Sequence, residues 1–177
     1  MSLSDPGFFE KRIACAKWSM GLEGGYAIKL WGRNNFDMFQ VLPSVTFPIS
    51  GPKGRSWWRG VWEYKMEGVF GFMVNHDNRI EAGFSPLGVK YNFIGDGRFV
   101  PYTELLMGAV YLDAPRNRQG SHFNFIESFT VGTQYFVTKD LAMLVSVRFR
   151  HLSDAGIDEP NQGFNSGHLM FGVTYYR

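Results

Sequence analysis

His151 and Ser153 open the stretch HLSDAGIDEPNQGFNS, at the point where an alternating apolar run passes into a loop. On an extended backbone, residues two apart project to the same side, so imidazole and hydroxyl come within reach of each other. A histidine acting as general base beside a hydroxyl can turn that hydroxyl into a nucleophile. The preceding residues Met143, Val145, Val147 and Phe149 have the same parity as His151 and Ser153. The pair therefore shares the apolar face of its strand. From spacing alone, a polar end to the strand is the default reading.

The elements needed to position such a pair are extended ones. Turn-rich segments containing Gly, Pro, Asn and Asp separate eight stretches: Ala16–Leu30, Phe36–Ile49, Trp57–Asn75, Ile80–Phe93, Phe99–Leu112, Phe123–Val137, Leu141–Ser153 and Ser166–Tyr176. Within them one face is apolar and aromatic, as in Trp62, Tyr64, Met66 and Phe70, or Phe129, Val131 and Tyr135. The other face is small, polar or charged: Glu63, Lys65, Glu67, Lys90, Glu104, Arg148 and Arg150. Opposite charges on that second face can pair across a narrow barrel interior. No helix-period segment of useful length is found, and residues 1–15 stay unplaced beside a single barrel domain over 16–177.

Composition limits the alternatives. A chain of 177 residues suits one domain, and a net charge of +2, from 18 basic and 16 acidic residues, gives no signal for nucleic acid. Aromatics at 17% with 21 glycines favour an all-β chain. Cys15, the single cysteine, excludes an internal disulfide. His76, His122 and His168 have no metal-ligand spacing, so neither metal nor cofactor is expected. His168 has the parity of the polar face and reads as a hydrogen-bonded interior residue. No apolar run is long enough for a membrane helix. The stretches nonetheless match the ~9–11 tilted residues of a bilayer-crossing strand, and eight is an allowed strand number. The resulting fold is an eight-stranded antiparallel up-and-down outer-membrane β-barrel; a soluble lipid-binding barrel is the alternative.

SPLGVKYNF (Ser85–Phe93), GRFVPYTELLMGAVYLD (Gly97–Asp113), FNF (Phe123–Phe125) and above all RFRHLSDAGIDEPNQGFNS (Arg148–Ser166) resemble the lipid A 3-O-deacylase (PagL-like, acyloxyacyl hydrolase) family. The resemblance runs from about Trp18 to Tyr176. It implies an outer-membrane serine esterase acting on an ester-linked acyl chain of lipid A in lipopolysaccharide. The family's serine falls on Ser153 and its histidine on His151. Its third triad member, a glutamate, is replaced by Asn165, and the asparagine after the serine is replaced by Asp154. Asn161 and Gly156 match the loop's PN and AG elements.

The loss of the acid predicts a reduced rate, because asparagine orients imidazole without supplying charge. Glu127 has the outward parity of Phe129 and Val131 and is expected opposite Ser153, where it could substitute. Backbone N–H groups from Asp154 to Gly156, with the Asn161 amide, are the candidate oxyanion donors. Arg116 and Arg118 could meet lipid A phosphates. The resemblance also implies an exported precursor, so the chain is expected to begin downstream of a signal segment. Partners implied are lipopolysaccharide and the outer membrane. A homodimer and a noncatalytic barrel remain alternatives.

Overall fold

The computed structural model describes residues 7–31, 37–74, 79–94, 97–113, 120–161 and 163–177. Eight strands, β1 (Ser19–Trp31), β2 (Met38–Pro48), β3 (Gly60–Met73), β4 (Ile80–Phe93), β5 (Phe99–Leu112), β6 (Phe123–Phe136), β7 (Leu141–Ser153) and β8 (Phe164–Tyr176), form a closed barrel. Each strand pairs antiparallel with its chain neighbours, and β1 pairs with β8 to complete the wall. The strands are 11 to 14 residues long, well beyond the ~5–6 typical of globular sheets. Closure leaves no exposed sheet edge, as a barrel in lipid requires.

The alternation of residue types decides which face is which. Leu105, Met107, Phe129, Val131, Met143, Val147, Leu169 and Phe171 stand exposed around the outside, whereas Glu23, Glu63, Lys65, Glu67, Glu81, Glu104, Arg148 and Arg150 are buried in the interior. The greasy face points outward. A soluble barrel with an apolar interior and a wet exterior is thereby overturned: this exterior is built for hydrocarbon.

Interior charges form one interlocking set. Lys65 Nζ contacts Glu23, Glu67 and Glu104 at 3.0–3.1 Å. Arg148 grips Glu67 through both terminal nitrogens, at 2.5 and 2.9 Å, and also donates from Nε to Thr130 at 3.1 Å. Arg150 makes a second two-pronged pair with Glu81, which also accepts a bond from Gln40 at 2.6 Å. Lys90 Nζ lies 4.3 Å from the centre of the Tyr102 ring, a cation–π contact. Towards the chain termini the set continues through Glu63, Asn92, Gln134 and the Tyr176 hydroxyl. His168 is buried and bonded to Ser166 at 2.7 Å, in agreement with its parity.

Apolar clusters close this polar layer at both ends. Ala27, Met38, Leu42, Val69, Met73, Val110, Leu112, Ile126, Leu152, Phe164 and Met170 form one of them, at the end where β7 carries His151 and Ser153. At the opposite end a short helix, α1 (Phe8–Ala14), docks Phe9 and Ile13 on Val61, Ile94, Val100, Phe136, Ala142 and Tyr176. Arg12 ties it to Asp140 at 2.9 Å, and Glu10 ties it to Arg59 at 2.6 Å. The helix lies in the segment that sequence reasoning left unplaced.

Besides a register shift between Lys29 and Trp31 in β1, β4 is irregular. In β4 the outward residues are Ile80, Ala82 and Phe84, but after Pro86 they are Leu87 and Val89. Two β4 residues, Ser85 and Pro86, occupy the span of the single β5 residue Gly108, which defines a bulge. Proline fits there because it has no N–H to give to the ladder.

Breaking one partner of a buried pair strands the other charge, whereas replacing both by neutral groups does not. Arg148→Met is therefore expected to lower stability by about 3–5 kcal/mol in urea titrations of the folded barrel. The double variant Arg148→Met/Glu67→Gln should recover a large part of that loss.

Candidate active site

His151 and Ser153 sit at the last turns of the ladder on β7, half-buried on the outer wall. On one side, β8 places Asn165 directly opposite His151. His151 Nδ1 and Asn165 Oδ1 are 2.9 Å apart. The amide oxygen only accepts, so in the neutral ring Nδ1 carries the proton and Nε2 the lone pair, the tautomer that a general base needs. Gly163, at φ +60°, brings the returning chain past the imidazole: a Cβ there would stand 3.7 Å from His151 Cε1.

On the other side, β6 places Glu127 opposite His151 and Phe125 opposite Ser153. The expected pairing of Glu127 with Ser153 is thus corrected by one step of the outward face. The β6–β7 turn closes at 137–140, with Val137 and Thr138 both donating to the Leu141 carbonyl. That tight closure fixes the register. Glu127 is exposed on the same outer face as His151.

Beyond Ser153 the chain reverses through three local bonds. The Ala155 N–H donates to Ser153 Oγ at 3.0 Å, the Gly156 N–H to Asp154 Oδ1 at 2.9 Å, and the Ile157 N–H to the Asp154 carbonyl at 3.2 Å. Ala155 and Gly156 both adopt left-handed conformations, at φ 58° and 78°. Asn161 closes the loop back on the site, its Nδ2 donating to Ser153 Oγ at 3.3 Å. Asp154 is fully buried and faces inward, away from the nucleophile. The Gly120 N–H donates to the Pro160 carbonyl at 2.9 Å, tying this loop to the one before β6.

Among the described residues no hydrogen bond joins Ser153 Oγ to the His151 ring; the hydroxyl is held by Ala155 and Asn161 instead. The structure therefore gathers His151, Ser153, Asn165, Asn161 and Glu127 at one place on the wall. Asp154 and Gly156 form the turn behind them. Arg116, Arg118 and His76 lie outside the described residues.

Two open grooves run along the wall from this cluster. One, of about 360 Å³, is lined by Leu105, Leu106, Met107, Glu127, Ser128, Phe129, Phe149 and His151. The next, of about 520 Å³, is lined by Phe84, Pro86, Leu87, Met107, Gly108, Ala109, Phe125, Ile126 and Glu127. They meet at Met107 and Glu127. The second passes over the small residues Gly108 and Ala109, beside the bulge that falls between Phe84 and Leu87. Sequence reasoning missed both grooves; the only local signal was a proline within a strand.

Comparison with known proteins agrees with this architecture. The family model for lipid A 3-O-deacylase (PagL) matches residues 40–174, which include every strand from β3 to β7 and the whole residue cluster. No curated protein matches. Among solved structures, the outer-membrane enzyme PagL superposes with a TM-score of 0.65 at 18% identity, covering 87% of this chain and 97% of that one. Neisserial surface protein A gives 0.59 at 13% identity, over 92% and 98%. The N-terminal barrel of Pseudomonas aeruginosa OprF gives 0.53 at 12% identity, over 90% and 97%. At these identities the structural likenesses speak for the barrel alone, and the sequence model speaks for the family. The chain belongs to the lipid A 3-O-deacylase family, and its barrel is that of a bacterial outer-membrane protein.

Proposed function

We propose that this barrel is a serine esterase that hydrolyses the 3-O-linked acyl ester of lipid A, with Ser153 as nucleophile and His151 as general base. The observation that carries the reading is the shared outward face of Ser153, His151 and Asn165 beside apolar grooves. An ester of lipid A lies where sugar headgroup gives way to acyl chain. A nucleophile at the loop end of the lipid-facing wall meets it there, and the grooves offer the acyl chain an apolar bed.

In this mechanism Ser153 Oγ attacks the acyl carbonyl carbon while His151 Nε2 takes the hydroxyl proton. The side-chain bond needed for that transfer forms once Ser153 rotates from its Ala155 and Asn161 partners, and substrate-free sites often show such loose geometry. Those two freed donors, the Ala155 N–H and the Asn161 amide, then stand beside the reacting carbonyl and can hold its oxyanion. Collapse of the tetrahedral intermediate expels the sugar alkoxide, which receives the proton from His151. Water, activated by the same imidazole, attacks the acyl-enzyme and releases the fatty acid.

Asn165 keeps Nδ1 protonated but brings no negative charge to the imidazolium. Glu127, across the β6–β7 ladder from His151, supplies a carboxylate on the same face, and its field favours the protonated ring in the transition state. Arg116 and Arg118 precede β6 in the chain, and their guanidinium groups suit lipid A phosphates.

Refolded protein incubated with lipopolysaccharide should release a 3-hydroxy fatty acid detectable by mass spectrometry, and Ser153→Ala should cut that release by about 10³-fold or more. Equal release by both proteins would leave a noncatalytic barrel. Asn165→Glu should raise kcat by about tenfold or more by placing charge at Nδ1. Glu127→Gln should then lower kcat in the native background and have a smaller effect in the Asn165→Glu background, because the two carboxylates serve the same imidazolium.

A further inference from the structure

At the end of the barrel opposite His151 and Ser153, the β2–β3 connection carries the segment ISGPKGRSWWRG, residues 49–60, which holds three cations and no carboxylate. It is a built structure. Lys53 and Gly60 exchange two backbone bonds of 2.8 Å, the Arg59 N–H donates to the Ser56 carbonyl at 3.1 Å, and the Tyr91 hydroxyl donates to the Trp58 carbonyl at 2.5 Å. Gly54, at φ +88°, lets the Trp58 ring fold over its Cα: a Cβ there would stand 2.8 Å from that ring. Ser56 is held at φ 56°, unusual for a residue with a side chain.

This scaffold presents Trp57 to the outside. Trp57 is 82% exposed and Trp58 is 51% exposed. An indole this open presents a large apolar surface that nothing covers among the described residues. Lys53 and Arg55 flank it, both exposed, with no carboxylate within ion-pair distance among the described residues. The carboxylates described nearby are already engaged, Glu10 by Arg59 and Asp140 by Arg12. Lys11, Lys17, Lys139 and Arg177 add positive charge at the same end.

We propose that the 49–60 turn is a headgroup site for an anionic phospholipid of the leaflet away from the catalytic cluster, with Lys53 and Arg55 on the phosphate and Trp57 in the interfacial layer. Indole rings favour the depth where headgroup meets acyl chain, and basic side chains beside it select negatively charged lipid. Trp62 meets Tyr91 at a tilt and Tyr91 meets Phe93 edge to face just above the turn, with centroids 4.6 and 4.9 Å apart, and these rings continue the aromatic layer onto the wall. The assignment needs only the membrane placement of the barrel; it does not depend on the esterase chemistry.

The test uses full-length protein refolded into phosphatidylcholine vesicles that contain one quarter phosphatidylglycerol and no lipopolysaccharide. Bromine is placed near the headgroup end of the acyl chains of either lipid, at equal mole fraction. The Trp57 signal is the fluorescence of the native protein minus that of Trp57→Phe. Quenching of that signal by brominated phosphatidylglycerol should exceed quenching by brominated phosphatidylcholine by at least about twofold, and high salt should narrow the gap. The gap should close in Lys53→Gln/Arg55→Gln, with unchanged heat-modifiable gel migration. Equal quenching by the two lipids would overturn the site, as would a preference that survives the double variant. A Trp57 signal quenched by neither lipid would place this turn in water and refute it outright.

Discussion

Everything in this molecule depends on the neutralisation of charge inside the barrel. Glu23, Glu67 and Glu104 surround Lys65, Arg148 spans Glu67 and Glu104, and Arg150 closes on Glu81. With these charges paired inside, most outward positions are left to apolar side chains, and the wall can sit in hydrocarbon. Unpaired, the same residues would demand water that a narrow interior cannot supply. The inversion of a soluble protein's inside and outside is therefore an electrostatic achievement before it is a hydrophobic one.

That inversion also explains where chemistry can occur. A polar residue on the outer wall is costly in the middle of the bilayer and tolerable near its boundary. His151, Ser153, Asn165 and Glu127 cluster at the loop ends of β6, β7 and β8, the part of the wall where such residues are affordable and where a lipid ester would be met. The local bonds of the 153–157 reversal hold the serine at the last position of β7, and the loop carrying Asn161 folds back over it.

Much of this was legible in the sequence. The bounds of β4, β5 and β7 follow from alternation and turn chemistry alone, because Ile80–Phe93, Phe99–Leu112 and Leu141–Ser153 are bracketed by Gly, Pro, Asn and Asp. Parity placed His151, Ser153 and Asn165 on one face, since each belongs to a regular strand. Register was harder: Glu127 faces His151 and not Ser153, a difference set by how many residues the 137–140 turn leaves out of the ladder. The helix α1 escaped notice because so short an amphipathic segment has little periodicity to read and is stable only when docked. The grooves depend on a bulge, which shows in sequence only as Pro86.

The docking of α1 has a consequence for the order of assembly. Its seat is made from residues of β3, the β4–β5 connection, β5, β6, β7 and β8, and Arg12 also bonds the carbonyl of Tyr176 near the end of the chain. That seat does not exist until β3 to β8 stand side by side. The segment ahead of β1 is thus among the last to find its place, and its arrival reports that these six strands have come together.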